Sequence, residues 1–165
     1  MKFYLGLLLS VFFVLANNVK SQTNHEEISE KLLDKNVKDT LIVIGKWNTS
    51  GGNETHMKYL GDVKTTDGKI YKIVNWVWYW GISHRSTTKV LVYNEKNQFV
   101  GNYQLNLPIE LPTQLNDSAL VFNNKNKKEC DTKLITLVDL KKGLPNDFFV
   151  NCKDKEGSSY YLTVD

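Results

Sequence analysis

Lys69-Ile70-Tyr71-Lys72-Ile73-Val74-Asn75-Trp76-Val77-Trp78-Tyr79-Trp80-Gly81-Ile82-Ser83-His84-Arg85 is the stretch on which the fold turns. Tryptophan occupies every second position from Trp76 to Trp80. Side chains of an extended strand alternate faces with a period of two. Val74, Trp76, Trp78 and Trp80 therefore share one face. Tyr71, Ile73, Asn75, Val77 and Tyr79 share the other, with Asn75 its polar member. β-branched and aromatic residues favour a strand over a helix, and a strand apolar on both sides requires cover on both sides. At about 3.3 Å per residue the run to Trp80 would reach roughly 40 Å, so a bend or bulge within it is expected. Gly81 permits a change of direction.

The neighbouring segments extend this pattern into an antiparallel fold. Asp67-Gly68 between two strand-like runs predicts a hairpin, with Lys58–Lys64 as its first arm. Lys89–Tyr93, Gln98–Leu107, Ala119–Phe122, Leu134–Leu140, Phe148–Cys152 and Tyr160–Val164 read as further strands, separated by Asn-, Lys-, Gly- and Pro-bearing turns. In Gln98–Leu107, Asn102, Gln104 and Asn106 alternate with apolar residues, as on a strand with one wet side. Asn48–Thr55 is Gly-, Ser- and Asn-rich and reads as a loop. Pro108 and Pro112 mark an extended connector. With the run Leu41–Ile44, eight or nine strands are expected. The fold class is mainly β: a single antiparallel β-sandwich or small β-barrel domain with a short N-terminal helix.

The first residues belong to a different regime. Met1-Lys2 supplies a positive start, Phe3–Ala16 an apolar core, and Val19-Lys20-Ser21 a small-residue end, the pattern of a secretory signal peptide over residues 1–21. Cleavage is expected between Ser21 and Gln22, with a cut after Ala16 as the rival. The apolar run is too short to span a bilayer comfortably, so no stable membrane span is expected after cleavage. Residues 22–165 form the single β-rich domain, with 22–38 a short helix or flexible lead-in. Asn24 and Glu27 have capping-box spacing there. The expected location is outside the cytoplasm, secreted or periplasmic.

Charge excludes one class of function. The chain has 21 Lys+Arg and 18 Asp+Glu, and Lys2 and Lys20 lie in the leader. The basic surplus is mostly the leader's, and nucleic acid is not an expected partner. The two cysteines, Cys130 and Cys152, are expected to pair as a disulfide in an exported chain. Neither has a second Cys or His at ligand spacing, so no metal and no other cofactor is expected. Asn48, Asn53 and Asn116 each open an Asn-x-Ser/Thr triplet.

Gly45-Lys46-Trp47, following a short helix, resembles the opening strand of lipocalin-like barrels. That resemblance covers those three residues and implies a barrel that binds small apolar ligands.

The sequence holds no Gly-x-Ser-x-Gly, His-Glu-x-x-His or Gly-rich phosphate loop, so no catalytic residues are assigned. His25 and His56 read as surface residues. Polar residues crowd the end of the aromatic strand, which is the composition of a binding-site rim. Tyr79, Trp80, His84 and Arg85 are the candidate ligand-binding residues. The expected function is a non-catalytic binding or interaction module for an unidentified ligand or protein partner. A structural or assembly subunit is the alternative, and a small secreted hydrolase using His84 comes last. Trp76 and Trp78 are expected to fill the main core.

Overall fold

The computed structural model describes residues 32–34 and 37–164. The leader expected over residues 1–21, the cap expected at Asn24, and His25 lie outside the described residues. The chain divides into two compact units, Met1–Lys35 and Asn36–Asp165. Residues 32–34 of the first are helical.

The second unit is built from antiparallel strands: β1 (Leu41–Asn48), β2 (Gly52–Lys64), β3 (Ile70–Trp80), β4 (Arg85–Asn94), β5 (Phe99–Leu105), β6 (Gln114–Asn116), β7 (Ala119–Asn123), β8 (Ile135–Asp139), β9 (Asp147–Lys153) and β10 (Glu156–Thr163). A short 3₁₀ turn, Pro108–Glu110, follows β5. Seven strands form one sheet in the order β1-β2-β3-β4-β5-β10-β9, and β6-β7-β8 form a second. The first five strands form a meander. The chain then leaves to build the small sheet and returns as the β9–β10 hairpin against β5. The large sheet ends at β1 and β9 and does not close, so the barrel expectation, and the lipocalin-like barrel with it, is corrected.

β3 runs unbroken against β4 from Tyr71 to Trp80. The irregularity expected within it lies in its partner, between Tyr59 and Gly61 of β2. Two polar segments are also more regular than composition suggested. Most of the predicted loop Asn48–Thr55 belongs to the β1–β2 hairpin, because Asn48 Oδ1 accepts the backbone N–H groups of Ser50 and Gly52 and makes a tight turn. Arg85–Thr88, polar throughout and placed before the strand read from Lys89, pairs with Val77–Trp80. Asn102, expected on a wet face, is buried. The turn at Asp67-Gly68 forms as expected, with the Gly68 N–H donating to the Thr65 carbonyl at 3.0 Å.

The core settles the faces of β3. Leu60, Val63, Ile73, Val90, Val92, Tyr103 and Leu105 of the large sheet are buried together with Leu120 and Phe122 of β7 and Val138 of β8. Phe148 joins the two groups: its ring lies 4.9 Å from Tyr103, 5.3 Å from Phe122 and 5.6 Å from Tyr160. This core lies on the Ile73 face of β3. The tryptophans point the other way, which corrects the expectation that they fill it. Trp76 is buried on the opposite face, and Trp78 is only half-buried. The reason is topological, since β6–β8 pack against the face that carries Ile73.

Cys130 and Cys152 form the expected disulfide, with Cα atoms 4.5 Å apart. It ties the loop after β7 to β9, and the Asp131 N–H donating to the Cys152 carbonyl at 2.7 Å reinforces the tie. No helix of the described residues is long and apolar enough to cross a membrane.

Candidate functional site

The site residues expected from sequence fall into two groups on opposite faces of the large sheet. Tyr79 and Trp80 are adjacent, so an extended backbone sends them apart. Trp80 pairs with Arg85, whose guanidinium carbon sits 5.6 Å from the indole centroid, and donates its Nε1–H to Thr87 Oγ1 at 3.2 Å. Trp78 stacks on Trp80 at 5.7 Å. On the core-facing side, Tyr79 stacks on His84 at 4.8 Å. His84 reaches it from the β3–β4 turn, where it holds a left-handed backbone (φ 51°) after Gly81 (φ 68°).

Three residues not assigned to the site complete the second group. Trp47 lies 4.1 Å from His84, and its Nε1–H donates to the Gly81 carbonyl at 2.8 Å. A bulge between Gly45 and Asn48 brings Trp47 to this position. Gly45 has φ 77°, and a Cβ there would collide with the Asn53 carbonyl. His56 meets Tyr79 edge-on at 5.0 Å. Its Nε2 lies 2.5 Å from Glu54 Oε1, while the other Glu54 oxygen accepts the Trp47 backbone N–H at 3.2 Å. Trp47, His84, Tyr79 and His56 thus form a continuous row of rings anchored on one carboxylate.

Electrostatics follow from these contacts. The hydrogen bond from His56, and then that from the Trp47 N–H, hold the Glu54 carboxyl below the usual carboxylate range. Burial, aided by the Glu54 charge, pushes the Tyr79 hydroxyl up. His56, expected as a plain surface residue at a loop end, is a strand residue with its side chain about three-quarters covered (27% exposed). The missed signal was alternation: Glu54, His56 and Lys58 occupy every second position and so share a face.

His56 and Tyr79 border a groove of about 280 Å³. It is also lined by Asn75, Val77 and Pro112, all buried, and by Pro108, Leu111, Thr113 and Lys125. Asn75 Nδ2 donates to the Pro112 carbonyl at 2.8 Å, joining β3 to the connector after the 3₁₀ turn. Lys58, at the rim, is held by Asp39 at 2.9 Å. Another hollow lies beside the disulfide, and much of its polar lining is engaged. There Tyr160 donates to Glu110 at 3.0 Å, and Asn124 Nδ2 donates to the carbonyls of Asp131 and Asn151.

Among the described residues, no three His, Cys, Asp or Glu side chains are grouped to hold a metal ion. The His84 ring packs against Trp47 and Tyr79.

Compared with known protein families, curated proteins and solved structures, the chain matches none.

Proposed function

We propose that this protein is an exported, non-catalytic binding module whose ligand occupies the groove beside Tyr79 and His56. The observation that carries the reading is the row of four rings, Trp47-His84-Tyr79-His56, ending at that groove. Stacked rings need no such opening to satisfy themselves. A concave, mainly apolar surface with a few fixed polar groups is the usual form of a small-ligand site. The Glu54 carboxylate locks the His56 ring in place, so the wall is preorganised and loses little side-chain freedom on binding. We further propose that the two sheets pack as a sandwich, supported by the core that both supply.

Export is supported by the leader-like residues 1–21 and by the Cys130–Cys152 bond, since such bonds persist in oxidising compartments. N-terminal sequencing of protein recovered outside the cytoplasm should read from Gln22, and a retained Met1 would refute the cleavage.

The binding reading is tested by screening a fragment library against the isotope-labelled chain by NMR. Hits should shift the amides of His56, Val77 and Tyr79, and the shifts should vanish in Tyr79→Ala. Hits that map elsewhere, or no hits, would refute the groove as the site.

A further inference from the structure

Among the described residues, β1 pairs with β2 alone and leaves one end of the large sheet open. In an antiparallel ladder alternate residues turn their N–H and C=O groups away from the partner, so the free side of β1 offers backbone donors and acceptors to a further strand. The other sheet ends are managed. At β9 the Asn151 N–H donates to Thr136 Oγ1 of β8 at 3.1 Å, and the Asn151 and Cys152 carbonyls accept from Asn124 Nδ2. β6 is only three residues long. Natural edges usually carry a charge or a proline that discourages an added strand. Leu41-Ile42-Val43-Ile44 has neither. Leu41 and Val43 are 56% and 50% exposed, and Ile42 and Ile44 are half-buried.

We infer that this edge pairs with the same edge of a second copy of the chain, β1 antiparallel to β1, about a two-fold axis at Val43. The strand itself selects the occupant. An uncharged, mostly β-branched apolar strand pairs best with another of its kind, and the second copy's β1 is one. The regular part of β1 runs from Leu41 to the bulge after Gly45, and Val43 is its midpoint, so an axis there pairs the whole of it. Opposed residues then share a face, as antiparallel pairing requires. Val43 meets Val43, Ile42 meets Ile44, and Leu41 meets Gly45, which has no side chain to obstruct it. Lys46 falls opposite Thr40, and no like charges face each other. An axis at Ile44 would instead set Lys46 against Ile42. Five residues a side make a small interface, so the dimer is weak and reversible. The axis stands perpendicular to the sheet, so both grooves, each bordered by its own Leu41, open on the same side of one continuous sheet. The inference does not depend on what the groove binds.

Sedimentation velocity of the full, disulfide-bonded chain over a concentration series should show a reversible monomer–dimer equilibrium. In NMR spectra over the same series the amides of Leu41 to Gly45 should shift. Val43→Lys sets two like charges across the axis and should weaken dimerisation about tenfold or more, and Val43→Glu should do the same. An equimolar mixture of the two variants should pair again, because unlike charges then meet. Val43 is half exposed, so both variants should fold. If either does not, the concentration-dependent shifts of the unaltered chain decide. A chain that stays monomeric throughout would overturn the inference and leave the edge to a strand of a different protein. Dimers whose shifts map to another surface, such as Leu137 and Phe149, or that survive both substitutions, would overturn it as well. Variants that fail to pair when mixed would overturn the axis at Val43.

Discussion

His56 Nε2 lies 2.5 Å from Glu54 Oε1 across one intervening strand residue, so the imidazole donates into a carboxylate that the Trp47 N–H also holds. Because the folded carboxyl titrates below its unfolded value, its contribution to stability is present above the ordinary carboxylate pKa. It is lost as pH falls through the folded value. In His56→Ala the Glu54 pKa should move back up, since the largest cause of its depression is gone. A carbon-detected NMR titration of Glu54 measures this. An unchanged value would mean that the Trp47 N–H, not His56, dominates.

The β2–β3 turn carries a second such group. Hydrogen bonds from Thr65 and then Lys69 draw Asp67 down to about 2. The turn's contribution should hold constant above about pH 4 and fall between there and about pH 2. Melts of Asp67→Asn should lack that acid-side loss. A variant with the same pH profile as the parent would show the turn to be indifferent to this charge.

Phe148, rather than a tryptophan of β3, should be the most sensitive aromatic. It is buried against Tyr103, Phe122 and Tyr160, which come from three strands of both sheets. Phe148→Ala should destabilise by about 3–5 kcal/mol. Trp78→Ala should cost clearly less, because Trp78 is half-buried. Urea denaturation of the two variants ranks them, and the reverse order would place the main core on the tryptophan face.

Arg85→Ala should fold normally. Its contact with Trp80 is exposed and of the kind that contributes about 0.5–1 kcal/mol. Because Arg85 and Trp80 lie on the face opposite the groove, the variant should leave groove binding unchanged. Weakened binding would mean that the two faces are coupled.

Reducing the Cys130–Cys152 bond opens a loop with a sequence separation of 22, so stability should fall by about 3 kcal/mol. Denaturation with and without reductant reads the difference, and coincident curves would show that the loop is held without the bond.

The sequence by itself determined the elements that depend on local pattern. Period-two alternation marked β3 as a strand covered on both sides, Asp67-Gly68 marked its hairpin, and an even cysteine pair marked the disulfide. Each is a short-range property of backbone geometry or bond chemistry. Tertiary structure decided which face of β3 meets the second sheet, because alternation treats the two faces alike. It also set Arg85 beside Trp80 and His84 beside Tyr79, and it brought Trp47, Glu54 and His56 into the same row. That row requires the β1–β2 hairpin to lie beside β3. Asn75 shows the limit most plainly. The sequence marked it as the polar residue of an apolar face, but its committed Nδ2 and unpaired Oδ1 became visible only once the chain around Pro112, 37 residues later, lay against it. A hydrogen bond across that separation leaves no trace in local pattern, since its geometry is set by how the sheets and their connector pack.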